Sequence, residues 1–454
     1  MKKSDEKKGA VLVSVTTSFI SSFMGSALNL SIPDIEKDFA AGAAVSGWVI
    51  TVYMLTCAAL TVPFGRLAEI RRRTAILRAG IFLFAFASAA AFFSWNFYSL
   101  IAFRAIQGTG ASMMFSTNMA VLVDAFDEEE RGKVIGLSTA STYLGLAAGP
   151  LAGGFINHLF GWNMIFAVSA AVSAPAFFAA VKKLPPGKTG PGKIRDKTGM
   201  VLYPASVAGI MYGLSSVCVS EKWPYALAAG SVLMFFFIKT ELKAKDPLLD
   251  IRAMARNSCY LRTNLSAMLC YGSVFAMNYL LSVYLQSVTG IGSGKAGVIL
   301  VIPSALMAVL SPLSGKLSDR YPAHLMTSTG MAMCAGAMIM LMFLKEDSGL
   351  AAVTAPLVIC GTGSALFMSP NARSVMSSVE REAHGVASSV LATMRSAGHT
   401  AAMAAVTSVT GAAAGNVSFE EAGAATVTEI VNISFFIFAA ACILAFFMAL
   451  KRKV

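Results

Sequence analysis

Long apolar runs alternate with short polar connectors along almost the whole chain. A helix that crosses a bilayer needs about 20 apolar residues. Because backbone exposed to lipid must satisfy its own hydrogen bonds, and because the runs are too long for barrel strands, the pattern predicts helices. It predicts fourteen spans, at residues 9–32, 46–64, 75–94, 98–121, 134–156, 163–181, 199–220, 223–240, 263–288, 296–314, 324–344, 350–370, 385–410 and 427–450.

The composition is typical of a helical membrane protein. Of the 454 residues, 56% are hydrophobic and 13% are charged, and the mean hydropathy is +0.67. A soluble domain carries about 25% charged residues, so these values argue against a soluble enzyme and exclude a disordered chain. The seven cysteines form no CxxC pair and no disulfide framework, so they are interpreted as small buried hydrophobic residues.

The basic residues predict how the chain is oriented. With the N-terminus placed in the cytoplasm, 30 of the 36 Lys and Arg residues fall on the cytoplasmic side. Four, Lys37, Lys222, Lys295 and Lys345, fall on the opposite side, and the other two lie inside spans. An excess of basic residues in cytoplasmic loops fixes the orientation of membrane helices. The pattern therefore predicts a multi-pass protein of the cell (inner, or cytoplasmic) membrane with both termini cytoplasmic, and the net charge of +12 needs no nucleic-acid partner.

Two similar segments lie at equivalent places in the chain. Pro63–Glu69 (PFGRLAE) closes the second of the first six spans, and Pro312–Arg320 (PLSGKLSDR) closes the second of the last six. Duplicated halves around a midplane site are how secondary transporters are built. The repeat predicts two six-helix bundles, residues 1–183 and 258–454, and a two-helix insert with its cytoplasmic linkers at 184–257.

Three motifs carry a resemblance to a known family. Residues 65–73 (GRLAEIRRR) join spans two and three, and the pattern Arg104-x-x-Gln107-Gly108 lies in span four. Span five carries a third pattern, formed by Gly136, Gly145, Gly149, Pro150, Gly153 and Gly154. With these motifs the chain resembles the major facilitator superfamily and, within it, the fourteen-span drug:proton antiporters, which include tetracycline-type and multidrug exporters.

The resemblance implies a major facilitator fold and gives roles to its motifs. The gating loop motif would comprise Gly65, Glu69, Arg73, Gly315, Asp319 and Arg320. A carboxylate that pairs with Arg at a helix end can hold the cytoplasmic gate shut; the alternative is charge that only sets topology. The glycines at every fourth position of span five share one face, which permits close helix approach. The resemblance associates this face with export, and packing alone is the alternative.

Polar residues inside spans are candidates for a central transport cavity. Arg104 and Arg395 are intramembrane cations, and a buried unpaired charge is costly, so each needs partners. Each is expected to face the cavity, with a structural Arg bound to backbone carbonyls as the alternative. For His399, one turn after Arg395, both packing and proton carriage remain open. The other predicted lining residues are Met24, Asn29, Gln107, Tyr143, Asn278, Tyr279, Met368 and Asn371.

The acidic residues avoid the middle of the predicted spans. Of the 24 Asp and Glu residues, the nearest are Asp34, Asp124 and Glu429, all near span ends. A cavity carboxylate would select cations and could carry protons. Its absence, beside two Arg residues, favours neutral or anionic amphiphiles as substrates. Proton coupling is then expected through Glu429, His399 or Asp34, or does not occur.

Together these features predict a secondary active transporter that exports hydrophobic or amphipathic small molecules by proton antiport and alternating access. The alternative is a transporter of a specific metabolite, lipid or anionic product, with or without proton coupling. No Ser/His/Asp grouping, metal-ligand spacing or phosphate loop stands out in the sequence, so no enzyme activity, cofactor or metal is expected. The expected partners are a small-molecule substrate, protons and the lipid bilayer, without nucleic acid, and the duplicated architecture predicts a monomer.

Overall fold

The computed structural model describes residues 2–187, 196–216, 221–244, 247–249, 251–252, 257–318, 320–379, 384–415 and 417–450. Its α-helices are α1 (Lys2–Ser26), α2 (Ile32–Phe39), α3 (Ala43–Ser46), α4 (Trp48–Ile70), α5 (Arg73–Phe92), α6 (Phe97–Asp124), α7 (Glu128–Phe160), α8 (Asn163–Lys183), α9 (Lys197–Ser215), α10 (Trp223–Glu241), α11 (Ser258–Val283), α12 (Ser293–Leu317), α13 (Ala323–Leu341), α14 (Leu350–Ser377), α15 (His384–Ala414) and α16 (Phe419–Leu450). A 3₁₀ turn (Ala27–Ser31) follows α1, and a π turn (Tyr284–Val288) follows α11.

Side chains and glycines at the helix ends explain several of these boundaries. The Asn96 Oδ1 accepts a hydrogen bond from the Ser99 N–H at 2.7 Å and caps α6. In the same way, the Asn257 Oδ1 accepts from the Tyr260 N–H at 2.9 Å at the start of α11. Helix α7 ends at Gly161, whose φ of 86° lies in the left-handed region that glycine adopts without strain.

The helices lie where the apolar runs predict them. In the described part of the chain, ten helical segments are long and apolar enough to cross a membrane, and the structure there is helical throughout its regular elements. This confirms an all-helical, multi-pass membrane protein. The other long helices, α6, α7, α9 and α15, are rich in glycine and in small or polar residues, so the count of fourteen crossings and the cytoplasmic termini stay predictions.

Two groups of helices share one continuous apolar core. The first group contains α1 and α4–α8, and the second contains α11–α16. The groups meet along two seams, where α7 packs against α12 and α4 packs against α15. The predicted domain limits of 1–183, 184–257 and 258–454 stay predictions.

The insert, α9 and α10, lies beside one of these seams. Its two helices approach closely at Gly230, where a Cβ would lie 2.4 Å from the backbone nitrogen of Ile210. The Tyr203 hydroxyl of α9 donates to the backbone oxygen of Ala58 in α4 at 3.3 Å. The Ser408 hydroxyl of α15 donates to the backbone oxygen of Leu214 in α9. Helix α9 therefore contacts both groups at once.

The helix bundle has two ends. The terminal end holds the first turn of α1 and the last turn of α16, and the far end holds α2 and α3. The two seams and the 3₁₀ turn after α1 lie between these two ends.

Candidate functional site

A cavity with a volume of about 70 Å³ lies between the two helix groups, near the middle of the bundle. Its walls come from the end of α1 and from α7, α11, α12, α14 and α15. Six of the predicted lining residues are on its wall: Asn29, Tyr143, Asn278, Met368, Arg395 and His399. Drug-sized ligand pockets usually measure about 300–1,000 Å³, so a ligand of that size needs the two groups to move apart.

Arg395 supplies a positive charge to this cavity. Its guanidinium carbon lies 5.1 Å from the ring centre of Tyr271, a cation–π contact. Its Nε is buried and has no hydrogen-bond partner among the described residues. No Asp or Glu of the described chain lines the cavity. The site is therefore electropositive and has unused hydrogen-bonding capacity.

Aromatic rings of α11 form one wall next to His399. The His399 ring stacks on Phe275, with ring centres 4.6 Å apart and planes 24° apart. It also meets Tyr271 edge-on at 6.3 Å. Tyr271 and Phe275 were missed by the sequence reasoning, although their spacing with Asn278 (i, i+4, i+7) places all three on one helix face.

Two asparagines present unpaired amide atoms to the cavity from opposite groups. Asn29, in the 3₁₀ turn after α1, is 2% exposed, and neither its Oδ1 nor its Nδ2 has a hydrogen-bond partner among the described residues. Asn278, in α11, leaves its Oδ1 unpaired. The Ser282 hydroxyl, one turn further along α11, donates to the Asn29 backbone oxygen at 2.7 Å and joins the two walls. Buried polar atoms are normally paired, so these atoms leave hydrogen-bonding capacity unused at the cavity.

The structure places Arg104 inside the first helix group, away from the cavity wall. Its Nε donates to the Val49 backbone oxygen at 2.9 Å, and its Nη1 donates to the Gln107 side-chain oxygen at 2.6 Å. The guanidinium also stacks over the Tyr53 ring at 4.2 Å. Gln107 in turn donates to the Ser88 hydroxyl at 2.7 Å. Arg104 thus ties α6 to α4 and α5 and corresponds to the structural alternative considered for it.

Four other predicted residues lie away from the cavity wall. Met24 and Asn371 are buried in helix packing, in α1 and α14 respectively. Tyr279 is also buried, and its hydroxyl approaches Gly47 at the start of α4. Glu429 is exposed on α16.

The glycines of the span-five motif lie at contacts between α7 and its neighbours. A Cβ at Gly145 would lie 2.3 Å from the Phe19 backbone oxygen, and one at Gly149 would lie 1.9 Å from the Ser26 hydroxyl oxygen. Gly153 faces the 3₁₀ turn in the same way, with the Ala27 backbone oxygen 2.8 Å from its Cβ position. These contacts exclude any side chain from this face of α7.

The same motif also touches the second helix group. A Cβ at Gly154 would lie 2.6 Å from the Ser293 backbone oxygen of α12. A Cβ at Gly297 of α12 would lie 2.3 Å from the Pro150 backbone oxygen, and Pro150 itself lines the cavity. The α7–α12 seam is therefore a backbone-to-backbone contact next to the cavity.

Residues of the gating loop motif lie at the terminal end. The Arg73 Nη1 pairs with the Asp124 carboxylate at 2.8 Å, which links α5 to α6 within the first group. A Cβ at Gly315 would lie 3.1 Å from the Ser369 hydroxyl oxygen, whereas a Cβ at Gly65 would make an ordinary contact of 3.8 Å with the Ser116 Cβ. Arg320 is exposed. Three predicted motif residues fall outside the described side chains: Glu69, Gly136 and Asp319.

Polar contacts close the far end between the two groups. The Glu36 carboxylate in α2 accepts from the Phe419 N–H, at the first residue of α16, and from the Ser46 hydroxyl at 3.2 Å. Glu36 is 4% exposed. A backbone bond of 2.8 Å from the Ala43 N–H to the Val417 oxygen lies beside it. The sequence reasoning missed Glu36, because nothing in a short polar connector indicates a contact with a helix 383 residues away.

Sequence comparisons identify relatives of the chain. The profile of the Major Facilitator Superfamily matches residues 15–403. Riboflavin transporter RibZ of Clostridioides difficile (strain 630) is 29% identical over 381 residues, 83% of this chain and 82% of that protein. Multidrug resistance protein Stp of Mycobacterium tuberculosis (strain ATCC 25618 / H37Rv) is 28% identical over 387 residues, 84% of this chain and 72% of that protein. Multidrug transporter protein MdtP of Bacillus subtilis (strain 168) is 26% identical over 425 residues, 91% of this chain and 78% of that protein.

Solved structures of low sequence identity share the fold. The transporter PepTSo of the POT family is 14% identical, with a TM-score of 0.70 over 97% of this chain and 96% of that chain. A bacterial homologue of the human lysosomal transporter Spinster, in an inward-facing and unoccupied conformation, is 15% identical, with a TM-score of 0.66 over 99% of each chain.

Proposed function

The chain belongs to the Major Facilitator Superfamily, and from this premise we propose that it exports hydrophobic or amphipathic small molecules by proton antiport. Its family and its relatives make it a multi-pass membrane transporter of small molecules rather than an enzyme. The proposal includes fourteen spans, both termini in the cytoplasm, the cell (inner) membrane as location, and a monomer as the working unit.

Alternating access follows from the position of the cavity and of the closed end. The cavity takes its walls from both helix groups, and the Glu36 and Ala43 bonds join the groups at the far end. With cytoplasmic termini, the far end faces the outside, so this state has its outer gate closed. Rocking of the two groups about the α7–α12 and α4–α15 seams would then expose the cavity to each side in turn.

The feature that supports export, rather than uptake, is the glycine face of α7, through the resemblance of its motif to that of exporters. It packs against α1 and its 3₁₀ turn, and Gly154 and Pro150 continue it onto α12 across the seam. The face therefore lies where the two groups must move. Two of the relatives, Stp and MdtP, are multidrug resistance or multidrug transport proteins by name, which supports the same direction of transport.

Three residues are candidates for proton coupling, and their surroundings differ. His399 lines the cavity. Asp34 is exposed at the far end, where it accepts a hydrogen bond from the Asn157 amide, and Glu429 is exposed on α16. His399 is the first to test, because it lines the cavity in which the substrate would bind.

The test combines drug tolerance with proton flux. Expression in a bacterial host lacking its own pumps should raise tolerance to lipophilic compounds, and those compounds should release protons from energised everted vesicles. His399→Gln should reduce proton release, and Lys239→Gln, at an exposed position of the insert helix α10, serves as the control. A broad compound panel that gives neither tolerance nor proton release would refute the proposed export.

A second candidate function is transport of one specific metabolite. The unpaired amides of Asn29 and Asn278 favour a ligand with matching hydrogen-bonding groups, and RibZ is a riboflavin transporter by name. Liposomes containing the purified protein should then move labelled riboflavin, and transport that persists after collapse of the pH gradient would favour this function over antiport.

A further inference from the structure

We propose that the central cavity selects planar aromatic organic anions, with Arg395 binding the anionic group and Asn29 and Asn278 binding polar atoms at the ring edge. The inference rests on the proposed function, because it names the substrate class for the same cavity. The lining residues carry it through three independent features: charge, ring surfaces and unpaired amides.

The charge of the cavity favours an anion. Arg395 is the cation on its wall, and no described Asp or Glu lies there to neutralise it. A permanently charged guanidinium within a membrane span is costly without a partner, and here its Nε lacks one. A carboxylate or sulfonate is the group whose geometry best matches a guanidinium. A cationic drug would instead place two positive charges in the same enclosed space.

The second Arg does not compete for the anion. Arg104 already donates to the Val49 backbone and to Gln107, and its face is covered by the Tyr53 ring. It also lies off the cavity wall. One cation therefore decides the charge selectivity, and a substitution at Arg395 tests it directly.

The ring surfaces favour a flat aromatic body. Tyr271, Phe275 and Tyr143 line the cavity, and His399 extends the stacked surface of Phe275. Offset stacking between aromatic rings contributes beyond the burial of their area. The Arg395 guanidinium carbon lies over the Tyr271 ring, 5.1 Å from its centre, so a ligand ring that carries an anionic substituent can contact both the aromatic wall and the cation.

The unpaired amides favour a polar edge on that ring. Asn29 comes from the first helix group and Asn278 from the second, and their free atoms include both donors and acceptors. A ligand that bonds to both asparagines bridges the two groups. Such a ligand binds differently when the groups separate, which is the differential affinity that transport requires.

Matched fluorescent probes test the selection. Purified protein in lipid nanodiscs is titrated with 1-pyrenecarboxylate, neutral 1-pyrenecarboxamide and a pyrenyl trimethylammonium salt, and fluorescence anisotropy gives the three dissociation constants. We expect the carboxylate to bind tightest and the ammonium salt weakest. Arg395→Gln should weaken carboxylate binding by roughly 10- to 100-fold, the effect of losing a hydrogen bond to a charged group, and should change carboxamide binding little.

Control variants separate binding from folding. Arg395→Lys keeps the charge and should keep the preference for the anion. Asn278→Leu should weaken binding of pterin-6-carboxylate, whose ring edge carries polar atoms, more than binding of 1-pyrenecarboxylate, whose ring carries none. Lys239→Gln, at an exposed position of the insert helix α10, should change nothing. Unaltered carboxamide binding by Arg395→Gln shows that this variant is folded. Equal or tighter binding of the ammonium salt by the wild type, or an unchanged anion preference in Arg395→Gln, would overturn the inference.

The same probes distinguish this inference from the proposed function. If cationic compounds are exported with proton release and the anionic probe is not bound, the substrate class is wrong and export stands. If the anionic probe binds with the expected Arg395 dependence but vesicles show no proton-driven transport, the substrate class stands and proton-driven export is wrong.

Discussion

Replacing Glu36 with alanine tests what holds the far end closed. The buried carboxylate accepts from the Phe419 N–H at the start of α16 and from the Ser46 hydroxyl. A hydrogen bond to a charged group contributes about 1.5–3 kcal/mol, and a buried donor left without a partner adds to the loss.

The expected effect is a change in the balance between two conformations. The Phe419 bond joins the two helix groups only when the far end is closed, so its loss destabilises that conformation alone. We expect a loss of about 2–3 kcal/mol, which changes the ratio of closed to open molecules by roughly 30- to 150-fold. Glu36→Gln keeps one acceptor oxygen without the charge and should fall between alanine and wild type.

Spin labels across the far end measure this balance. In a variant without native cysteines, new cysteines at Lys37 in α2 and Ala425 in α16, both exposed, carry the spin labels. Pulsed electron–electron double resonance between the labels then gives the distance between the two helix groups. Glu36→Ala should convert a short-distance population into a longer one.

Glu421→Gln is the matched control for that experiment. Glu421 lies in the first turn of α16, but it is exposed, and its carboxylate accepts from the nearby Ser418 N–H at 3.1 Å. The Glu421→Gln substitution removes a similar charge and leaves the contacts between the two helix groups in place. It should therefore leave the distances between the spin labels unchanged. Identical distance distributions for wild type and Glu36→Ala, or an equal change in Glu421→Gln, would refute the reasoning.

Three further predictions concern packing and stability, each checked by unfolding of the purified protein in detergent. Gly149→Ala should lower the free energy of unfolding by about 1–3 kcal/mol through overpacking against α1 and should abolish transport. Gly336 has open space around it, so Gly336→Ala should change the free energy of unfolding by less than about 0.5 kcal/mol. Arg104→Met should lower the free energy of unfolding by about 2–4 kcal/mol, because the buried partners of Arg104 lose their donor. Arg73→Ala should lower it by less than about 1 kcal/mol, because the ion pair of Arg73 is exposed. Asn96→Ala should cost about 1 kcal/mol through loss of the α6 cap; a change within error would contradict the capping role.

The sequence predicted the helices well because their signal is local. An apolar run of about 20 residues and its polar flanks define a membrane helix without reference to the rest of the fold. The span-five glycines were also visible, since their four-residue spacing alone places them on one face, and the structure shows that face in close contact with Phe19 and Ser26.

The direction of a side chain within a helical bundle was harder to predict. Arg104 and Arg395 look alike in sequence, as single cations in spans. The rotation of each helix against its neighbours decides the outcome: Arg104 meets the Val49 carbonyl, and Arg395 meets Tyr271 at the cavity. Contacts distant in sequence, such as Glu36 with Phe419, have no local signal at all.

The two-helix insert spans the α4–α15 seam between the two helix groups. Helix α9 is fastened to α4 through Tyr203 and Ala58, and to α15 through Ser408 and Leu214. If the two helix groups rotate about the α4–α15 seam, at least one of these two hydrogen bonds must lengthen or break. In the proposed transport cycle the insert would therefore limit this rotation, and we expect a larger rotation in a relative that lacks these two helices.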